Sequence, residues 1–133
     1  MNRAAADSVV PIGVVDSPIR SREDAPRQAG EGAPSAWLDI DPAYAAALDG
    51  IEPGAEIVVL TWLHLADRST QTVYPRGDRR LPLTGVFATR SPDRPNPIGL
   101  HTVTVVQREA CRLLVDALEA IDGTPILDIK IAI

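Results

Sequence analysis

Short stretches in which apolar and polar residues alternate run along the chain, and this period of two predicts β-strands. The most apolar stretch is Gly54–Ala66, where apolar side chains fall on both faces of the predicted strand. We therefore expect this strand to be buried on both sides. His64 lies on one of these faces beside Trp62, and a lone histidine in such a place is more often a hydrogen-bonded core residue than a catalyst.

The other predicted strands are shorter and are separated by turns rich in proline and glycine. They span Val9–Val15, Ala36–Ile40, Thr70–Tyr74, Gly85–Thr89, Gly99–Gln107, Cys111–Leu118 and Ile126–Ile133. Pro11 favours an edge position for the first of them, because proline cannot donate to a ladder of hydrogen bonds. The last is predicted to place its alternate apolar side chains on one face: Leu127, Ile129, Ile131 and Ile133.

One short helix is predicted between Asp41 and Asp49, since Asp41-Pro42 is a helix start signal and Asp49-Gly50 a stop. The chain shows no strand–helix–strand alternation and no GxGxxG motif, which argues against a doubly wound nucleotide fold. Short strands, one short helix and long loops predict a mainly β fold, a small antiparallel β-barrel. Its 133 residues are enough for one core, so we expect a single domain over residues 1–133.

Composition and charge argue against several classes of function. The formal net charge of -5 argues against a general nucleic-acid-binding surface, although a local basic patch stays open because several arginines follow Arg68. The single cysteine forms no internal disulfide, and the two histidines are far apart, so no metal site is expected. No segment has the roughly 20 apolar residues of a membrane span. Without a signal-like N-terminus either, the cytoplasm is the expected location.

The segment Thr84–Leu100, reading TGVFATRSPDRPNPIGL, is the first candidate site. Each proline fixes its own φ and holds the residue before it in an extended conformation. A loop this stiff can present Arg90, Arg94 and Asn96 to a ligand at low entropic cost. We call residues 89–97 the proline loop and interpret it as a binding loop rather than a structural turn with solvated arginines.

The second candidate site is AIDGTPILDIK, residues 120–130. A tight turn at Asp122-Gly123 would expose backbone N–H groups suited to a carboxylate or a ribose hydroxyl. Asp128 and Lys130 share one strand face and can pair there. An exposed pair contributes little, about 0–1 kcal/mol, whereas a pair that faces a pocket would be a candidate for acid–base work or substrate anchoring.

These motifs resemble a known family. GVFATRSPDRPNPIGL and DGTPILDIK, supported by PIGVVDSPIR, APRQ and VVLTWLH in the same order, are similar to the TsaA-like family, also called the TrmO type. The resemblance implies a small β-barrel that forms a homodimer and binds S-adenosyl-L-methionine. It also implies methylation of the N6 position of threonylcarbamoyl-adenosine beside the anticodon, with tRNA as the substrate.

The resemblance carries over to individual positions of this chain. The implied cofactor contacts are Pro26, Arg27, Gln28, His64, Leu65, Arg90, Leu100, Asp122, Gly123, Thr124 and Pro125. Arg94 and Asn96 are the candidates for substrate binding. Transfer to a weakly nucleophilic nitrogen would gain from a general base, for which Asp122 and Asp128 are the candidates, with Lys130 as an anchor or catalytic partner.

The chain departs from the family pattern at three places. Leu65 stands where an arginine or similar polar residue is usual, DIKIAI replaces DIKPY, and RGDRRLPLTG replaces a short Arg-Pro turn. Two alternatives therefore stay open: a methyltransferase that acts on another RNA or a small molecule, and a non-catalytic module that binds S-adenosyl-L-methionine.

Overall fold

The computed structural model describes residues 7–26 and 32–133, in which eight strands are joined by loops and short 3-10 helices. The strands are β1 (Gly13–Asp16), β2 (Ala36–Ile40), β3 (Glu56–Trp62), β4 (Thr72–Val73), β5 (Thr84–Gly85), β6 (Ile98–Glu109), β7 (Arg112–Val115) and β8 (Pro125–Ile131). The 3-10 helices span Arg22–Asp24, Pro42–Leu48, Pro75–Gly77 and Val86–Ala88.

Six of the strands close into an antiparallel barrel in the order β1-β2-β7-β6-β3-β8, and β4 pairs with β5 in a separate ribbon. This confirms the predicted fold class. Strand β1 closes the barrel because it pairs with β2 on one side and β8 on the other. The expected edge position was therefore wrong: Pro11 lies before the strand, so it removes no bond from either ladder.

Strand β3 crosses the middle of the wall, with β6 and β8 as neighbours. Its side chains at Ile57, Val59 and Thr61 are fully buried in the barrel, whereas the alternate positions are only half-buried. The prediction of burial on both sides was thus wrong, because a barrel encloses only its inner face. The strand ends at Trp62, so His64 lies in an exposed turn and is not a core residue.

Strand β8 contains an irregularity that changes its alternation. Leu60 of β3 lies opposite Asp128, but Thr61 lies opposite Ile126, so one residue of β8 is extra at this point. Ile126 is fully buried, whereas Ile131 is 56% exposed. The predicted apolar face is therefore wrong for the end of the strand, since a bulge shifts which side chains point inward.

The predicted helix is present as the 3-10 helix Pro42–Leu48. The Asp41 side chain accepts a hydrogen bond from the N–H of Ala43 (3.0 Å), as expected for an N-cap. Leu48 is buried and belongs to the core cluster, and Tyr44 packs against it, so the helix is docked on the core. No helix in the described part of the chain is long and apolar enough to span a membrane.

Candidate functional site

Strand register brings the predicted site segments to one end of the barrel. Trp62, the last residue of β3, lies opposite Ile98, the first residue of β6, and Thr61 lies opposite Ile126 near the start of β8. Val14 of β1 lies opposite Pro125, so β1 also ends there. The first loop (residues 17–26), the turn after β3 (residues 63–67), the proline loop and the glycine turn (residues 121–124) therefore meet at this end, which we call the loop end.

Asp93 ties three of these segments together. Its carboxylate accepts hydrogen bonds from the Arg22 guanidinium (3.1 and 3.2 Å) and from the backbone N–H of Asp67 (2.8 Å). Arg22 also donates to the carbonyl of Leu65 (3.3 Å). Sequence reasoning missed Asp93 and Arg22 because it looked for cations that bind a ligand. The signal was an acidic residue inside a stiff basic loop, which is positioned to accept bonds from neighbouring segments.

Arg94 holds the proline loop in shape. Its guanidinium donates to three backbone carbonyls, those of Val86 (3.1 Å), Thr89 (3.2 Å) and Ser91 (3.1 Å). The planar fork of arginine suits such multiple contacts. Because these donors are engaged within the loop, the geometry argues against the predicted role of Arg94 in substrate binding and favours a structural one.

Asn96 is held by a neighbouring arginine instead of being free for a substrate. Arg68 donates to the Asn96 side-chain oxygen (3.2 Å) and to the carbonyl of Pro95 (2.8 Å). The same guanidinium stacks over the Trp62 ring at 5.1 Å from its centroid. Asn96 is nevertheless an exposed residue of the loop end.

Four of the predicted cofactor residues are accessible, three of them at the loop end and Leu100 in the barrel wall opposite Leu60. Leu65 and Leu100 are 50% and 49% exposed, which is high for leucine. His64 and Arg90 are exposed, and within residues 7–26 and 32–133 their side chains make no hydrogen bond or ion pair. Arg90 is thus a cation on a rigid loop whose donors are available to a ligand.

The glycine turn is connected to the first loop through Asp122. Its carboxylate accepts from the backbone N–H of Ser17 (3.0 Å) and lies 3.4 Å from the exposed Arg20 guanidinium. Gly123 has a φ of 84°, a conformation that glycine adopts without strain. The turn therefore has a defined position relative to the first loop.

The backbone N–H groups of this turn are not free for a ligand, so that expectation was wrong. Asp122 donates to Ile19 (2.8 Å), Gly123 to Val15 (2.8 Å) and Thr124 to Ile121 (3.1 Å). Barrel closure is the reason for two of these bonds, because it places the end of β1 and the start of the first loop against the turn. The acceptor of the Thr124 N–H lies within the turn itself. Thr124 is also buried, and Pro125 begins β8.

Asp128 and Lys130 form the expected ion pair (Nζ to Oδ2, 3.0 Å). Both side chains are substantially exposed, so the pair contributes little to stability. The two residues lie in the barrel wall opposite Leu60 and Val58, outside the four loop-end segments. Asp128 instead borders a surface cavity beside Tyr44 of the 3-10 helix.

The remaining predicted residues are Pro26, Arg27 and Gln28. Pro26 is half-buried after the 3-10 helix Arg22–Asp24, whereas Arg27 and Gln28 lie outside the described residues. Within the described ranges, no group of three or more His, Cys, Asp or Glu side chains is arranged to hold a metal ion.

The turn after β3 carries a perturbed carboxylate. The Asp67 Oδ1 atom accepts from the hydroxyl (2.6 Å) and the N–H (2.8 Å) of Ser69. These bonds stabilise the ionised form and lower the pKa of Asp67 below its ordinary value of 3.8. The turn is thereby fixed from both sides, by Ser69 and by Asp93.

The fold and these segments define a small β-barrel of the tRNA-methyltransferase O type. The sequence profile of the tRNA-methyltransferase O N-terminal domain matches residues 14–132, so the chain belongs to this family. This confirms the resemblance read from the motifs.

Individual relatives support the family assignment. The chain is 46% identical over 120 residues to a probable S-adenosyl-L-methionine-binding protein of Methanothermobacter thermautotrophicus, covering 90% of this chain and 85% of that protein. It is 45% identical over 120 residues, with the same coverage, to an S-adenosyl-L-methionine-binding protein of Archaeoglobus fulgidus. The crystal structure of TrmO from Pseudomonas aeruginosa superposes with a TM-score of 0.76 at 34% identity, covering 97% of this chain. The chain spans only 57% of that TrmO.

Proposed function

We propose that this protein binds S-adenosyl-L-methionine at the loop end and transfers its methyl group to threonylcarbamoyl-adenosine in tRNA. One observation carries the proposal: the four segments to which the family motifs assign the cofactor meet at one end of the barrel. The bonds of Asp93 and Asp122 hold the described parts of these segments together. The names of the relatives, which include S-adenosyl-L-methionine-binding proteins, support the choice of cofactor.

The accessible side chains fit the parts of such a cofactor. Arg90 offers a guanidinium fork to the cofactor's carboxylate, and a bidentate pair of this kind is strong and directional. Leu65 and Leu100 offer apolar surface to the adenosine and the methionine chain. The proline loop adds rigidity, which lowers the entropic cost of binding.

Methyl transfer from a sulfonium is an in-line displacement in which positioning provides most of the catalysis. The C–S bond breaks as the N–C bond forms, and the sulfur leaves as a neutral thioether. The amide-like acceptor nitrogen must lose its proton, so a base helps. We assign this role to Asp122, because it lies at the loop end, whereas Asp128 and Lys130 lie in the barrel wall.

The tRNA substrate finds support in local charge. Arg68, Arg79 and Arg90 are exposed although the chain as a whole is acidic. Arg68 and Arg79 stack on Trp62 and Tyr74, at 5.1 and 5.0 Å. Arginines beside aromatic rings suit phosphates and unstacked bases. Such a substrate implies a cytoplasmic protein.

Calorimetric titration with S-adenosyl-L-methionine tests the cofactor. We expect binding that Arg90→Ala weakens about tenfold, since one charge-assisted contact is lost. Arg80→Ala is the matched control, because Arg80 pairs with Asp78 near the β4–β5 ribbon. Absence of binding to folded wild-type protein would refute the proposal.

Methyl transfer to tRNA that carries threonylcarbamoyl-adenosine tests the reaction. Asp122→Asn should lower kcat by about 100-fold or more, the usual range for a lost general base, while Asp128→Asn retains activity. If Asp128→Asn lost activity and Asp122→Asn retained it, the general base would be Asp128.

A second function is favoured by the relatives' names, which state binding and not catalysis. A protein that binds the cofactor but methylates neither this tRNA nor any component of a cell extract would be a non-catalytic binding module. Transfer to a different RNA or a small molecule in the extract would retain the enzyme and change only its substrate.

The proposed homodimer has a candidate surface on the outside of the barrel. Ile98 is about half exposed there, beside half-buried Val58 and Leu60. Paired apolar strands of this kind suit an isologous contact. Sedimentation of wild-type protein at micromolar concentration would reveal a dimer or a monomer.

A further inference from the structure

A hydrogen-bonded chain of three polar side chains runs through the barrel interior at the loop end. The Nε2 atom of His101 lies 2.7 Å from the Thr61 hydroxyl, and its Nδ1 atom lies 2.6 Å from Oε1 of Glu119. Thr61 is fully buried and His101 is 5% exposed. We call these three residues the interior network. Sequence reasoning left His101 unassigned and did not consider the other two.

The position of the network in the chain is unusual. Thr61 lies three residues before His64, His101 follows Leu100 directly, and Glu119 lies three residues before Asp122. Each member thus sits beside one of the segments proposed to bind the cofactor. The network joins the end of β3, the start of β6 and the connection to β8 from inside, whereas Asp93 and Asp122 join the loops from outside.

Stability alone does not account for the interior network, because buried polar groups stabilise a fold less than well-packed apolar side chains do. Polar groups that are buried need complete hydrogen bonding, and Oε2 of Glu119 is buried without a partner among the described residues. Packing apolar side chains in place of a buried polar pair is often neutral or stabilising. A network of directional bonds does differ from apolar packing in one respect: it fixes the relative position of its members.

Gly99 shows how closely the surroundings fit this network. A Cβ atom at this position would lie 2.7 Å from Nε2 of His101, and it would also overlap the Thr61 hydroxyl. Glycine at the start of β6 is therefore required for the Thr61–His101 bond to form. This ties the end of the proline loop, which leads into Gly99, to the interior network.

We infer that Thr61, His101 and Glu119 are positioning residues for the cofactor site, which hold the turn after β3, Leu100 and the glycine turn in register. This inference rests on the proposed binding of S-adenosyl-L-methionine. The two ring nitrogens of His101 bond Glu119 and the Thr61 hydroxyl at the same time, so the three side chains form one continuous network.

The test compares three variants of β3 by calorimetric titration with S-adenosyl-L-methionine and by thermal unfolding. Thr61→Val removes the hydroxyl but keeps the shape of the side chain, and Thr61→Ser keeps the hydroxyl. Val59→Ala is the matched control, because Val59 is equally buried on the same inner face and makes no network bond. It reports what loss of stability alone does to affinity.

We expect Thr61→Val to raise the Kd for the cofactor about tenfold, since small displacements of binding groups have effects of this order. Thr61→Ser and Val59→Ala should stay within about threefold of wild type, less than the effect of one lost hydrogen bond. If the enzyme turns over, the KM for the cofactor should rise in Thr61→Val more than kcat falls.

Two results would overturn the inference. Affinity of Thr61→Val equal to that of wild type would show that the network does not position the site, while cofactor binding itself would stand. Equal loss of affinity in Thr61→Val and Val59→Ala would show a merely structural role. Failure of the wild-type protein to bind would instead refute the proposed function, and with it the inference.

Discussion

Replacement of Gly99 by alanine tests the packing of the barrel interior most directly. The added Cβ would lie 2.7 Å from His101 Nε2, 3.1 Å from a Leu63 methyl carbon, and closer still to the Thr61 hydroxyl. Contacts this short require movement of the neighbours. Thr61 is fully buried and His101 nearly so, which leaves little free space for that movement.

The expected loss of stability follows from two costs and one gain. Overpacking of a closely packed core costs about 1–3 kcal/mol. Breaking the Thr61–His101 bond leaves buried polar atoms unpaired and costs about 1–3 kcal/mol more. Alanine restricts the unfolded chain and returns about 0.4–1 kcal/mol. The net loss is about 1–6 kcal/mol, a large part of the roughly 5–15 kcal/mol of a typical domain.

Urea unfolding measures this loss, and Gly85→Ala is the matched control. A Cβ at Gly85 meets no atom within 4 Å, and the φ of -62° is one that alanine adopts. The control should therefore be stabilised by about 0.4–1 kcal/mol. For a domain of this size, each kcal/mol corresponds to about 3–5 °C in Tm. A free energy of unfolding of Gly99→Ala within about 0.5 kcal/mol of that of wild type would refute the predicted overpacking, since substitutions at the surface usually have effects in that range.

Two further predictions concern the loop end. Arg94→Lys should destabilise the proline loop by about 1–3 kcal/mol, because an ammonium group cannot reproduce the guanidinium fork that bonds three carbonyls. Hydrogen exchange of the loop amides measures this loss, with Arg90→Lys as the control. Equal protection of the amides in both variants would contradict a structural role of Arg94. Ser69→Ala should raise the pKa of Asp67 toward 3.8, since the Ser69 hydroxyl is the largest cause of its lowering. Above pH 3.8 that bond stabilises the turn, and the stabilisation is lost as the pH falls through the lowered pKa of Asp67. NMR titration of the Asp67 carboxyl carbon measures this pKa. An unchanged pKa in Ser69→Ala would exclude the Ser69 hydroxyl as the cause of its lowering.

Local patterns proved sufficient for most of the strands and for the fold class. The predicted strand Gly85–Thr89 was wrong, because Val86–Ala88 turn into a 3-10 helix directly before the proline loop. The strand over Ala36–Ile40 and the cap at Asp41 depend on neighbouring residues alone, so they follow from the sequence. The family motifs are also local, and the match over residues 14–132 confirms them. Prediction was less successful at strand ends, as with His64, because the end of a strand depends on where its partner strands end.

The roles of the polar side chains could not be predicted in the same way. Arg90 and Arg94 look equivalent in sequence, yet one is free at the loop end and the other is engaged by Val86, Thr89 and Ser91. Which carbonyls surround an arginine depends on how the loop folds back on itself. The same holds for the N–H groups of Asp122 and Gly123, whose acceptors in the first loop and in β1 lie more than 100 positions away.

The sequence by itself determined most of the strands, the barrel class and the family, because alternation, caps and stiff motifs act over a few residues. Only the tertiary structure decided which segments meet, that Asp93 joins three of them, and that Thr61, His101 and Glu119 form one interior network. These relations join residues up to 105 positions apart, as for Ser17 and Asp122. They arise from strand register and barrel closure, which are properties of the whole chain.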